Sequence, residues 1–354
     1  MRMSGKMVIF VASDYSLQPS LDKIGAELTQ RGHQVIAGPP QRPPVTTEFA
    51  PASLERYFGA TDLVVTATRT ALTRETLEAA PRLRGVVFLT TGTESIDMQA
   101  ADELGIPVAH GPFPENFNAM AEATVMLMLA LMYDMKGSER VLRDNLDRPK
   151  AVRARLLHGK TIGLIGLGRI ARGVAQRLEG WGVRVIASVA RKPSGDIPGN
   201  VGIVGLDQLL GEADIVSLHA SLTAETHHLL GARQFALMKP SAYLVNTARG
   251  GLIDEEALCE ALQARRIAGA ALDAFEREPL PQDSMLRQLD NLILTPHMVG
   301  HTQDGLDAVP RTALENIERL MRGEPPLYCK NPHTLSRWPA RLSAIAGTDS
   351  APQT

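Results

Sequence analysis

Short apolar runs bounded by turn residues alternate with stretches of helical period from the start of the chain. Met7–Ala12, Gln34–Ala37, Leu63–Thr66, Val86–Leu89 and Pro107–Ala109 read as strands, with Leu21–Arg31, Leu54–Phe58, Arg74–Ala80 and Met98–Leu104 as the helices between them. Such alternation predicts a small parallel sheet covered by helices on both faces. From Asn118 to Lys136 the pattern changes, because Met and Leu occupy nearly every face. A long helix is expected there, buried between domains or against another subunit. A second alternating series begins at Lys160, with strands expected near 161–165, 183–187, 215–218, 242–246, 268–272 and 292–294. The proline-rich loop 38–44 is expected to be irregular, and the tail from Ser336 to Thr354 to fray.

The second series opens on Thr161-Ile162-Gly163-Leu164-Ile165-Gly166-Leu167-Gly168-Arg169-Ile170-Ala171. This is a buried strand turning through glycines into a helix. Gly166 permits the tight turn, Gly168 removes a Cβ from the path of a pyrophosphate, and Ala171 allows close helix–strand packing. The helix then offers its first N–H groups to the phosphates. The next strand, Val183–Ala187, completes a βαβ unit, which favours dinucleotide binding over an ordinary strand–turn–helix.

Composition narrows the classes without choosing among them. A chain of 354 residues is long enough for two domains, and 44% hydrophobic with 21% charged residues is ordinary for a globular protein. A net charge of −2 gives no general attraction to nucleic acid or an anionic membrane, and the basic run from Arg148 to Lys160 reads as a solvated connector. Cys259 and Cys329 suit inert thiols in a reducing compartment, not a disulfide framework. The longest apolar segment, Ala123 to Tyr133, is too short to span a bilayer. The N-terminal run reads as a first strand and not a signal peptide, so a cytoplasmic location is expected.

Three polar residues follow strand-like segments of the second series. Arg249 comes after Tyr243–Ala248, Glu278 after Ala270–Phe275, and His297 directly after Leu292–Pro296. In doubly wound sheets the carboxyl ends of the strands face one crevice, so a guanidinium, a carboxylate and an imidazole are delivered to the edge that carries the glycine turn. This set suits hydride transfer to a 2-oxo acid. Arginine offers a planar fork for a carboxylate, histidine a proton for the carbonyl oxygen, and the glutamate a charge that favours imidazolium.

These residues carry a resemblance to the D-isomer-specific 2-hydroxyacid dehydrogenase family, roughly from Met7 to Pro332. It rests on Gly163–Ile170, Ala213–His219, Asn246–Glu255, Leu272–Pro279 and Leu294–His297. The resemblance implies an α/β protein of two doubly wound parallel-sheet domains. A Rossmann nucleotide-binding domain, 116–299, is inserted into a flavodoxin-like substrate domain, 1–115 and 300–340, leaving 341–354 as a disordered tail. It implies a homodimer built largely through the 118–136 helix region. It also implies that Arg249 binds the substrate carboxylate and carbonyl, His297 is the acid/base, and Glu278 orients and charges the imidazole. By the same pattern Gly166, Gly168, Arg169, Ile170, His219, Thr247, Ala248, Asp273 and Gly300 belong to the cofactor site. Gly92 and Thr93, in Thr91–Asp97, would hold the substrate carboxylate by their N–H groups, and Arg69 would meet the distal end of the substrate.

One departure changes the expected cofactor. The carboxylate that grips the ribose hydroxyls of NAD at the end of the second strand is absent. The sequence there is Ile186-Ala187-Ser188-Val189-Ala190-Arg191-Lys192. Valine does not repel a 2′-phosphate, and Arg191 and Lys192 are placed to meet one. NADP is therefore expected ahead of NAD, with a small 2-oxo acid of the glyoxylate or hydroxypyruvate class reduced to the D-2-hydroxy acid. The competing readings are a dinucleotide-sensing interaction protein without turnover, and a phosphoglycerate, formate or phosphite dehydrogenase on the same fold.

Overall fold

The computed structural model describes residues 6–41, 46–111, 113–191 and 195–349, and they fall into two compact units. Met1–Glu115 and Thr302–Thr354 form the first, and Asn116–His301 the second. The expected roles of Lys192 and of the loop from Arg42 to Pro44 lie outside the described residues.

The first unit contains β1 (Val8–Val11), α1 (Gln18–Gln30), β2 (Gln34–Ala37), α2 (Pro51–Phe58), β3 (Leu63–Thr66), α3 (Arg74–Glu78), β4 (Gly85–Phe88), α4 (Met98–Glu103) and β5 (Val108–Ala109). The strands are all parallel, in the order β2-β1-β3-β4-β5. A two-faced parallel sheet needs apolar cover on both sides. Leu21, Ile24, Leu28, Val309 and Ile317 supply one side, and Phe58, Leu77, Ala100 and Ala101 the other.

The second unit begins within α5 (Pro114–Met132) and continues through α6 (Met135–Arg143), β6 (Thr161–Ile165), α7 (Arg169–Arg177), β7 (Arg184–Ser188), β8 (Val201–Ile203), α8 (Leu206–Glu212) and β9 (Ile215–Leu218). There follow α9 (Ala232–Leu237), β10 (Tyr243–Asn246), α10 (Glu255–Gln263), β11 (Gly269–Leu272) and β12 (Leu292–Leu294). The seven strands are parallel, in the order β12-β11-β10-β9-β6-β7-β8. The order reverses at β6, where chain direction across the sheet switches from β7 to β9. That is the position at which doubly wound sheets bind ligands, outside the strands' carboxyl ends.

Three expectations need correction. The Met-rich helix does not run unbroken to Lys136: Asp134 takes a left-handed conformation (φ 47°) that separates α5 from α6. An edge strand, β8, is absent from the expected elements; it is three residues long, Val201-Gly202-Ile203, and too short to stand out as a strand run. The expected frayed tail instead forms a helix, α12 (Trp338–Asp349), after α11 (Gln303–Met321). The Trp338 indole N–H donates to the Arg84 carbonyl at 2.7 Å, and the Arg341 guanidinium reaches the carbonyls of Leu83, Leu104 and Ala80. Trp338 and Leu342 also pack on the core of this unit and Ile345 is buried, a helical spacing set among Pro, Ser, Ala and Gly.

Candidate active site

The turn after β6 is built for a close approach. Gly166 has φ 92°, and a Cβ there would lie 2.8 Å from the backbone of His219 and Ala220 at the end of β9. Only glycine meets both demands without strain. A Cβ on Gly168 would meet open space, and no side chain caps α7, whose first residues are Arg169 and Ile170. Ala171 is fully buried beneath the turn. An uncapped helix start facing open space beside a glycine fits the pyrophosphate of a dinucleotide. The Arg169 guanidinium lies 5.1 Å from the Phe117 ring centroid.

At the next strand end, Val189 packs against the core and Arg191 is exposed. There is no carboxylate at Val189 to receive ribose hydroxyls. The positive charge of Arg191 contributes to holding the Glu225 carboxyl low, behind the hydrogen bond Glu225 accepts from Thr223. At the end of β9, the His219 Nε2 is 3.0 Å from Ser217 Oγ, and burial pushes its pKa down to about 4. His219 is therefore neutral at physiological pH.

Arg249 enters from the end of β10. Asn246 folds the backbone beneath it by donating to the Arg249 carbonyl at 2.9 Å and accepting from the Ala248 N–H at 3.0 Å. The Arg249 guanidinium is half-buried and donates to the Ala248 carbonyl at 2.8 Å. Thr247 is held by its hydroxyl contact with Thr124, at 3.1 Å. Gly250 follows where no side chain fits, since its Cβ would lie 1.8 Å from the Phe275 carbonyl carbon. Asn246 and Gly250 were not singled out in the sequence, although both lie within the motif around Arg249.

The loops after β11 and β12 meet at the imidazole. His297 Nδ1 lies 2.7 Å from Glu278 Oε2 and 2.9 Å from Oε1, which also accepts the Phe275 N–H at 3.1 Å. Burial pushes the Glu278 carboxyl up, but the hydrogen bond and charge of His297, the Phe275 N–H and the charge of Arg249 together hold it below the usual range. An ionised carboxylate can only accept, so Nδ1 carries a proton and Nε2 is the nitrogen left for proton transfer. His297 itself has φ 53°, a conformation rare outside glycine.

Asp273 explains how that conformation is kept. It is buried, and its Oδ1 accepts from Thr295 Oγ1 at 2.7 Å, Met298 N at 3.0 Å and Val299 N at 3.2 Å, bracketing His297 on both sides. Burial pushes its carboxyl up against those hydrogen bonds. A Cβ on Gly300 would lie 2.0 Å from the Met120 sulfur, so the Met120 side chain would have to shift to admit one.

In the first unit, Gly92 and Thr93 are buried in the turn after β4. Their N–H groups have no acceptor among the described residues. Buried N–H groups without a partner are costly and suit an anion. Arg69 is held to Asp14 at 3.3 Å and to Ser16 Oγ at 3.0 Å, with its guanidinium 4.4 Å from the Tyr15 ring centroid.

Residues 125–299 match the family described as D-isomer specific 2-hydroxyacid dehydrogenase, NAD binding domain. The chain is 38% identical over 268 residues to a glyoxylate reductase of Thermofilum pendens, covering 74% of this chain and 78% of that protein. The chain belongs to the D-isomer-specific 2-hydroxyacid dehydrogenase family of oxidoreductases. It is also 39% identical over 267 residues to a D-3-phosphoglycerate dehydrogenase of Methanocaldococcus jannaschii, where the match covers 74% of this chain but 50% of that protein. A crystal structure of a Thermus thermophilus protein is similar with a TM-score of 0.79 and 31% identity, covering 92% of this chain and 100% of that one. This family member thus carries the NAD-binding domain on its second unit. Among the described residues, no helix is long and apolar enough to cross a membrane, and no cluster of His, Cys, Asp and Glu could hold a metal ion.

Proposed function

We propose that this chain is a 2-hydroxyacid dehydrogenase that reduces a small 2-oxo acid of the glyoxylate or hydroxypyruvate class to the D-2-hydroxy acid. The observation that carries this reading is the Glu278–His297 pair beside Arg249, at the strand ends next to the glycine turn. The dinucleotide would lie along Gly166, Gly168, Arg169 and Ile170, and it supplies or accepts the hydride at the substrate C2. The Arg249 fork takes the carboxylate and the carbonyl oxygen. As negative charge develops on that oxygen, His297 Nε2 delivers the proton while Nδ1 stays on Glu278. In the first unit, the N–H groups of Gly92 and Thr93 offer anchorage to a substrate carboxylate, and Arg69 a further cation.

NADPH is the proposed coenzyme, supported by the absence of a carboxylate at Val189 and by the exposed Arg191. A homodimer is proposed as well, because Met126, Tyr133, Met135 and Leu142 expose apolar surface along α5 and α6. A cytoplasmic location is part of the same reading.

A panel of 2-oxo acids crossed with NADH and NADPH, followed by loss of reduced-nicotinamide absorbance, tests the whole proposal. Turnover of glyoxylate or hydroxypyruvate supports it. Tight dinucleotide binding with no turnover across the panel would instead favour a sensing protein.

A further inference from the structure

Three loops of the second unit converge on one side chain that the reaction does not use. Glu276 Oε1 accepts the Glu255 N–H at 3.2 Å, and Glu255 Oε1 accepts the Glu276 N–H at 2.7 Å. The two glutamates thereby clamp the start of α10 to the loop after β11. The same Glu276 Oε1 is 2.9 Å from His228 Nε2, in the loop after β9. His228 is stacked on His227, with ring centroids 4.0 Å apart, and its backbone N–H donates to the Gly251 carbonyl at 2.8 Å. Gly250 presses against the Phe275–Glu276 backbone from the other side.

The clamped segments are those that carry the proposed reaction centre. Arg249 precedes Gly250 by one residue, and Glu278 follows Glu276 by two. Arg249 and Glu278 both lie beyond the strand ends, and β10 reaches Arg249 through the Asn246 side chain. We propose that Glu276 is a positioning residue that sets the separation of Arg249 from the Glu278–His297 pair by tying together the loops after β9, β10 and β11. It acts through Glu255 and His228 and touches no reacting atom. This rests on the reading of Arg249, Glu278 and His297 as the reaction centre. Small displacements of such groups are expensive, since a misplacement of about 1 Å can cost roughly a hundredfold in rate.

The test compares Glu276→Ala with Glu276→Gln, because a glutamine oxygen can still accept from both Glu255 N–H and His228. Glu276→Ala is expected to raise KM for the 2-oxo acid and lower kcat, reducing kcat/KM by roughly 10–100-fold. Dinucleotide affinity should be unchanged, and Glu276→Gln should recover kcat/KM to within about fivefold of the parent. A loss in Glu276→Ala that follows only the folded fraction, with KM unmoved, overturns the proposal, as does parental activity. Amide hydrogen exchange supplies a readout that needs no turnover. Glu276→Ala should speed exchange in 249–256 and 274–279 together, whereas acceleration confined to 274–279 overturns the clamp. A parent protein that reduces no 2-oxo acid but shows this paired acceleration would overturn the reading of the reaction centre while leaving the clamp intact.

Discussion

Glu278 holds His297 by its Nδ1 edge, at 2.7 Å, and the histidine adopts this pose with a left-handed backbone. The arrangement leaves Nε2 free of the carboxylate. A left-handed histidine costs of order 1–3 kcal/mol unless its surroundings fix it, and Asp273 supplies that constraint through the N–H groups of Met298 and Val299. Backbone strain and carboxylate pairing are thus both directed at one imidazole edge.

The Glu278 carboxylate is held below its usual range, so it remains charged at working pH. Glu278→Gln keeps the shape and removes the charge that pairs with the imidazole. It should lower kcat for reduction with coenzyme affinity little changed, which initial rates at matched coenzyme saturation measure. An unmoved kcat would mean that Glu278 acts by shape alone.

Arg249→Ala should raise KM for the 2-oxo acid and lower kcat if, as proposed, the guanidinium grips substrate in the ground and transition states. Arg249→Lys should recover only part of the loss, since an ammonium cannot reproduce the bidentate fork. Full recovery by lysine would reduce the role of Arg249 to a point charge.

His219 provides a pH test that needs no substrate. Its imidazole is neutral in the fold because burial depresses its pKa to about 4, below the usual 6.5. The unfolded chain then binds more protons than the fold between these values. Stability is fully present above about pH 6.5 and declines as pH falls toward about 4. Replacing His219 by Gln should flatten that part of a melting-temperature profile. An equally steep profile in the variant would place the acid sensitivity elsewhere.

Much of this architecture was legible in the chain. The strand runs other than β8 matched because parallel strands buried on both faces are nearly continuous in Val, Ile and Leu. Arg249, Glu278 and His297 lie beyond strand ends, as their places in the sequence predict. What escaped depends on long-range contacts. Trp338 and Arg341 hold α12 through backbone carbonyls far away in sequence, which no local period reveals. The duty of Asp273 as a brace for residues 297–299, and the meeting of Glu255, Glu276 and His228, require three loops to be brought together by strand order. The break at Asp134 has a similar cause, since a non-glycine left-handed residue leaves little mark in composition.

The proposed coenzyme preference should be reversible at the end of β7. Val189 offers no acceptor to ribose hydroxyls, and a charge-assisted arginine–phosphate contact is worth about 1.5–3 kcal/mol, roughly tenfold to a hundredfold in affinity. The parent should show a higher kcat/KM with NADPH than with NADH, and Val189→Asp combined with Arg191→Ala should invert the ratio. A parent that uses NADH equally well would show that Arg191 faces solvent throughout.

His297 is proposed to supply the proton for reduction of a 2-oxo acid. The most direct test is the initial rate of NADPH and NADH oxidation with glyoxylate and hydroxypyruvate, parent against His297→Ala, at matched coenzyme saturation. The parent should turn over, and kcat should be lower by roughly 10²–10⁴-fold in the variant, with coenzyme affinity little changed. Near-parental turnover by His297→Ala would contradict it.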